Sequence, residues 1–263
     1  MSPAIAATLD VTELLTVPVP ACPVCGVAND ASPTIDRYGF RVSVSRCRCG
    51  LLYLNPRMTA AAAESFYRDT YRALAYEQYG GQAVEPTASM RDRGRCAGEL
   101  LKRAGCLGGS LLDLGGGTGA FAQGVHESLP FSSITILDPN DDELARATEQ
   151  GYDIVRGLVE TQARSCLTYT AIVCAQTADH WLDPVAALGW MRAAITPSGF
   201  LYIDIIDARR WRRKHPAQAF KLDHPLYWTP DSFRQALQRT GWTVVAKWQN
   251  FNRVRHLYIC EGA

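Results

Sequence analysis

LLDLGGGTGAF, residues 111–121, sets an apolar run against four glycines in five positions. The apolar run reads as a buried strand, Gly115, Gly117 and Gly119 as a tight turn, and the residues after them as the start of a helix. A turn without Cβ atoms lets a ligand approach the backbone, and the helix N-terminus aims its free N–H groups at the same place. The next apolar run, SSITILD (132–138), ends in Asp138, 23 residues after Gly115. A carboxylate at that strand end can accept two hydrogen bonds from a ribose diol.

Two cofactors suit this arrangement. Gly115, Gly117 and Ala120 satisfy the dinucleotide pattern G-x-G-x-x-G/A, a short signal on its own. Asp113 and the third glycine, Gly119, favour S-adenosylmethionine, whose ammonium group suits an acidic neighbour. Outward from the loop, strands and helices alternate. YDIVRG, YTAIVCAQ (169–176) and FLYIDII (200–206) read as further strands, DDELARATEQG and DPVAALGWMRAAI as helices, and TPSG (196–199) as a turn. Such alternation specifies a parallel sheet covered on both faces. TPDSFRQALQRTG closes the pattern as a helix, capped by Thr229 and stopped by Gly241. WTVVAKWQ and RHLYICE then form an antiparallel hairpin.

The chain has 263 residues, 47% of them hydrophobic, and a net charge of +1. That excludes a disordered polar chain and gives no basic excess of the kind nucleic-acid binders carry, so nucleic acid is an unlikely partner. No apolar run is long enough to cross a bilayer. The N-terminal stretch carries Asp10 and Glu13 in place of a basic region, so the expectation is a cytoplasmic protein without a secretory signal.

Nine cysteines are present, four of them clustered: Cys22, Cys25, Cys47 and Cys49. CPVCG and CRCG can close a tetrahedral zinc site, and a lobe of about 40 residues needs such a staple to fold. A differently ligated site and redox thiols are the alternatives, since the second knuckle is C-x-C. The five scattered cysteines read as small buried hydrophobes. The expected organisation is a tail (1–17), a zinc ribbon with one strand pair in YGFRVSVSRC (18–58), a helical linker or lid (59–105) and a ligand-binding sheet domain (106–263).

The motifs LDLGGGTG, ILDPN and AIVCAQTADHWLDPVAALGWMRAAITPSGFLYI resemble the class I S-adenosylmethionine-dependent methyltransferases over residues 106–263. The resemblance implies an α/β, Rossmann-like seven-stranded sheet of order 3-2-1-4-5-7-6. It places Gly115, Gly117 and Gly119 along the methionine and ribose, Asp138 on the ribose hydroxyls and Pro139 against adenine. Gln176 and Thr177 fall near the methionine end. Leu158 stands where the family often has an acidic residue for the adenine amine, so a backbone contact is expected there. Asp179 replaces the family's usual glutamate, and Phe200 its second turn glycine. CPVCG, CRCGLLYLNP and FYRDTYRA resemble a bacterial subgroup with an N-terminal zinc ribbon. Many of its members look like sugar, cell-envelope or antibiotic-pathway methyltransferases, and the sugar C-methyltransferases among them carry a further C-terminal domain.

An alcohol or carbon acceptor must lose a proton, and histidine is the usual base near neutral pH. His224, beside Asp223 in KLDHPLYWTP, matches a subgroup histidine thought to act as base; pocket lining and a structural role are its alternatives. His180 follows the fourth strand, where it either serves the reaction or makes a structural hydrogen bond. His126, His215 and His256 read as surface residues. Tyr67 and Tyr71, four apart on a helix, either pack on the sheet domain or form a lid over the cofactor, with Tyr71 nearest the acceptor. Arg209, Arg210, Arg212 and Arg213 form either a solvated face or a grip on a phosphorylated small-molecule acceptor. The expected activity is methyl transfer to a small molecule such as a sugar, nucleotide-sugar or secondary-metabolite intermediate. An RNA or ribosome methyltransferase, an inactive scaffold of the same fold and a nicotinamide oxidoreductase are the rivals.

Overall fold

In the computed structural model, which describes residues 9–78, 87–163, 168–216, 219–249 and 254–262, the chain builds two sheets. Asp10 caps one helical turn, α1 (Val11–Leu14), by accepting from the Thr12 N–H. Val11 and Leu15 are buried, and Val17 pairs with Arg57. Residues 9–17 are therefore packed chain rather than the expected tail, because their apolar side chains find a core; residues 1–8 lie outside the described residues. Three antiparallel strands follow, β1 (Ala31–Ile35), β2 (Arg41–Arg46) and β3 (Leu52–Leu54). The alternating RVSVSR is a strand as expected, but its hairpin partner is β1, upstream of the YGF turn. The Asp36 carboxylate closes that turn, accepting from the N–H groups of Tyr38 and Phe40 at 2.9 Å each. A fourth strand, β9 (Leu226–Tyr227), arrives from late in the chain and pairs with β3. The small sheet thus joins residues from both sides of the expected 105/106 boundary.

Thr59 caps α2 (Ala60–Asp69), whose Ala63, Phe66 and Tyr67 are buried. It leads into α3 (Tyr71–Gln78) and, beyond residues outside the described set, α4 (Thr87–Arg103). The break expected near Gly80, Gly81 and Pro86 lies in that undescribed stretch.

The large sheet takes the apolar runs in turn: β4 (Ser110–Leu114), β5 (Ser133–Asp138), β6 (Asp153–Arg156), β7 (Tyr169–Cys174), β8 (Ile195–Ile206), β10 (Trp242–Gln249) and β11 (Arg255–Gly262). Their spatial order is β6-β5-β4-β7-β8-β11-β10, or 3-2-1-4-5-7-6 counted within this sheet. Strands β4 to β8 run parallel and the β10–β11 hairpin antiparallel. Residues 196–199, expected as a turn, are inserted into β8 as a bulge: Ile195 pairs with Tyr169 and Phe200 with Ala171. Strand order reverses at β4, with β5 on one side and β7 on the other, and such a switch point opens a crevice at the strands' carboxyl ends.

One face of the sheet packs Leu112, Ile172, Leu201 and Trp228 into a core continuous with Val24, Leu51 and Tyr53 of the small lobe. The other face packs Leu111, Val173 and Tyr202 under α4 and α5 (Ala120–Ser128). These two helices meet backbone to backbone through glycines. A Cβ on Gly124 would run into the Arg91 carbonyl oxygen, and one on Gly94 into that of Phe121. Gly124→Ala is expected to lower stability by about 3 kcal/mol, the upper end for overpacking, because the obstructing atom is backbone. An unchanged urea midpoint would show that the helices part without penalty.

Cys106, Cys174 and Cys260 are buried as expected, whereas Cys96 is exposed on α4; Cys166 lies outside the described residues. His256, expected at the surface, is 3% exposed, because β11 is an interior strand between β8 and β10.

Candidate active site

The glycine loop leaves β4 and enters α5. Gly115 and Gly117 hold φ of 71° and 54°, in the left-handed region that side chains disfavour. Asp138, at the end of β5, ties the loop down: one carboxylate oxygen accepts from Gly117 N–H at 3.0 Å, the other from Asn140 N–H at 2.9 Å. Burial raises its pKa to about 6, helped by Glu143 and opposed by the Asn140 N–H and the Arg72 charge. Each carboxylate oxygen keeps a lone pair for a ligand hydroxyl.

Asp113 and Gly119 sit differently from the expectation. Neither lines the cavity. Asp113 is 1% exposed, with burial pushing its pKa to about 7, and it accepts from Ala122 N–H at 3.1 Å. Gly119 caps α5 and lies against the Tyr152 ring. Both shape the loop from behind.

In front of the loop a cavity of about 980 Å³ opens along the carboxyl ends of the strands. That is the upper end of the usual ~300–1,000 Å³ for ligand sites, enough for a cofactor and a second molecule. Gly115, Gly117, Asp138, Pro139, Leu158, Gln176 and Thr177 line it, so these expected contacts are brought together. Gln176 holds a φ of 56°. That backbone is pinned by Asp204, which accepts from Gln176 N–H at 3.0 Å while paired with Arg93 and Arg255 at 2.8 and 3.0 Å. Asp138, Asp142 and Glu143 line the cofactor end, together with Arg72 and Arg146. Arg72, on α3, reaches Glu143 at 2.5 Å and ties that helix across the loop.

The other end gathers both candidate histidines, 4.6 Å apart between ring centroids. His224 Nε2 lies 3.3 Å from the Asp223 carboxylate, and Nδ1 lies 3.1 Å from Asp179. Asp223 is fully buried and outside the cavity lining, whereas Asp179 and His224 line it. The Lys221 ammonium, which can only donate, lies 3.5 Å from Nε2, so Nε2 keeps its lone pair and Nδ1–H faces the Asp179 carboxylate, the arrangement of an oriented base. Burial holds the His224 pKa well below its ordinary value; Asp179 opposes this, and the charges of Lys221, His180 and Arg37 add to it. The Tyr67 hydroxyl donates to the Asp223 carbonyl at 2.6 Å, and His180 Nδ1 lies 2.9 Å from the same oxygen. Tyr67 and His180 therefore fix the backbone that carries His224. Tyr71 lines the cavity edge-on to both rings. Asp179, His180 and His224 bring ligand-type atoms within 4.8 Å of one another.

Arg209, Arg210, Arg212 and Arg213 do not line the cavity. They belong to α8 (Ala208–Lys214), which turns Ala208 and Trp211 inward. Positions three apart share a helix face, so the arginines fall elsewhere. Arg209 and Arg210 approach Asp207, Arg209 also approaches Asp231, and Arg212 lies over the Phe220 ring. The cavity's cations at this end are Arg37 and Lys221, which sequence reasoning missed. Arg37 comes from the β1–β2 turn, and no local pattern signals so distant a contribution.

Each cysteine knuckle turns back on itself, the second one residue tighter than the first. Gly26 N–H donates to Cys22 O at 2.9 Å, and Gly50 N–H to Cys47 O at 3.0 Å. Cys22 Sγ lies 3.7 Å from Cys49 Sγ and Cys25 Sγ 3.3 Å from Cys47 Sγ, with all four within 4.8 Å. Four sulfurs at ~2.3 Å from zinc stand about 3.8 Å apart, so this set fits a closed tetrahedral site. The hydrogen bond from Cys49 lowers the Cys22 pKa to about 5, which favours a thiolate there.

A doubly wound sheet with a ligand cavity at its switch point defines the class of nucleotide-binding α/β proteins. Within that class, residues 89–247 match the methyltransferase domain family, and the chain belongs to it. Over 136 residues the chain is 26% identical to 2-methyl-6-phytyl-1,4-hydroquinone methyltransferase 1, chloroplastic, of Oryza sativa subsp. japonica. That match covers 49% of this chain and spans only 39% of the rice protein. Among solved structures, the fold is similar to the plantazolicin methyltransferase BpumL in complex with SAH (TM-score 0.59, 12% identity, 76% of this chain and 94% of that one). It is also similar to magnesium protoporphyrin IX methyltransferase from Synechocystis PCC 6803 with bound SAH (TM-score 0.58, 10% identity, 78% and 100%). Among the described residues, no helix is long and apolar enough to cross a membrane.

Proposed function

We propose that the protein transfers a methyl group from S-adenosylmethionine to a small-molecule acceptor, with His224 as general base and a structural zinc held by Cys22, Cys25, Cys47 and Cys49. The observation that carries this reading is one cavity joining the glycine loop and Asp138 at one end to the oriented His224 at the other. When bound, the cofactor supplies an electrophilic methyl on a sulfonium. The carboxylates of Asp138 and Asp142 suit that cation. Asp138 accepts ribose hydroxyls and Pro139 and Leu158 flank the base. Gln176 and Thr177 border the methionine end. His224 takes the acceptor proton at Nε2 while Asp179, 3.1 Å from Nδ1, keeps the ring oriented.

Calorimetric titration tests the cofactor half. SAH is expected to bind with a micromolar dissociation constant, and Asp138→Ala to weaken it about tenfold or more, the loss of charged hydrogen bonds. Absence of SAH binding to the wild-type protein rejects the proposal. Mass spectrometry of a candidate-acceptor panel with deuteromethyl cofactor then identifies the acceptor.

A further inference from the structure

The acceptor end of the cavity is built from two distant segments locked together by their backbones. Arg37 N–H donates to the Phe220 carbonyl at 2.9 Å, and Leu222 N–H donates to the Asp36 carboxylate at 2.7 Å. Arg37 and Lys221 therefore emerge side by side, one from the small lobe's hairpin turn and one from the segment that carries His224, and both line the cavity.

The carboxylates nearest Lys221 face other groups. Asp36 spends its oxygens on the N–H groups of Tyr38, Phe40 and Leu222. Asp223 lies behind His224, and Asp179 faces His224 Nδ1. Neither Asp36 nor Asp223 lines the cavity. Among the described residues Lys221 has no carboxylate within ion-pair distance; its ammonium lies 3.5 Å from His224 Nε2. A half-buried lysine beside a second cation and a histidine is a poor arrangement for the protein alone, and an anion completes it. Half-buried Trp211 lines the same end and adds apolar surface for the body of a ligand.

We propose that Arg37 and Lys221 bind an anionic group, phosphate or carboxylate, of the methyl acceptor and so set its reacting atom beside His224. This rests on the methyltransferase reading and deepens it by naming the acceptor's charge. The cavity then holds the cofactor beside Asp138 and the anionic acceptor beside Arg37 and Lys221. The small lobe becomes a wall of the acceptor site through Arg37.

Calorimetry on the SAH-loaded protein tests this with three probes: phenyl phosphate, benzoate and the uncharged benzyl alcohol. Phenyl phosphate or benzoate is expected to bind and benzyl alcohol to bind at least about tenfold more weakly, and whichever anion binds tighter identifies the group. Lys221→Met and Arg37→Leu are each expected to weaken the anion about tenfold or more, the loss of one charge-assisted contact. Lys221→Arg restores most of the affinity. Arg210→Leu, on α8 outside the cavity lining, leaves it unchanged. SAH affinity stays constant in all four variants, which shows that they are folded. Failure of both anions to bind the loaded wild type, or wild-type anion affinity in both Lys221→Met and Arg37→Leu, overturns the proposal. Failure of SAH itself to bind rejects the methyltransferase reading instead.

Discussion

Exchanging His224 for asparagine is expected to lower the rate of methyl transfer by about 10²–10⁴-fold, the range a positioned base contributes, and to leave SAH affinity unchanged. Asparagine fills a similar space and can still donate to Asp179, so the geometry survives and only the proton acceptor is lost. The pH profile adds a readout that a structural role would not move. Burial holds His224 well below its usual value against the pull of Asp179, with Lys221, His180 and Arg37 adding to the effect. The ring therefore stays unprotonated at pH 6.5, and kcat/KM keeps its plateau below that pH. The rate falls only on further acidification, when the imidazole takes a proton and can no longer accept one. In His224→Asn that acid limb is expected to vanish. Unchanged turnover in the variant would assign the base elsewhere.

Losing one thiol of the cysteine cluster is the second large effect. Cys25→Ser is expected to abolish zinc binding and to destabilise the protein by about 3–5 kcal/mol, roughly 10 °C in Tm for a chain of this size. Elemental analysis of the wild-type protein should find about one zinc per chain, and none in the variant. The effect is large because the knuckles are part of the main core. Cys22 and Cys47 are buried with Val24 and Leu51, in the cluster that contains Trp181 and Trp228. The second knuckle also abuts α9 (Pro230–Arg239): a Cβ on Gly50 would strike the Thr229 hydroxyl, which caps that helix. A wild-type protein free of zinc, or a variant with an unchanged Tm, counts against a structural metal.

Much of the fold was legible because it is written locally. Four glycines after an apolar run, an acidic residue at the next strand end and Thr229 before Pro230 each describe their own neighbourhood. The contacts at Gly115, Gly117, Asp138, Gln176 and Thr177 followed from position in that pattern. What could not be read depends on distance or on phase. Arg37 reaches the cavity from a hairpin more than 180 residues from Lys221 in sequence. The arginines of α8 stay open in sequence between a solvated face and a phosphate grip, because a run of like residues does not show which way the helix turns; Ala208 and Trp211 face the cavity and decide for the solvated face. Asp113 was read as a ligand contact, but its carboxylate is turned back to the α5 backbone. Residues 196–199 carry turn composition, yet pairing on both sides absorbs them into β8.

Because Leu52 and Tyr53 pair with Tyr227 and Leu226, a chimera that exchanges residues 18–58 alone for another ribbon breaks the hydrogen-bonded seam that holds His224 and Lys221 in place. Successful grafts must carry residues 219–228 along with their ribbon. Changes of acceptor preference in this lineage should accordingly arise as paired substitutions, one in each segment.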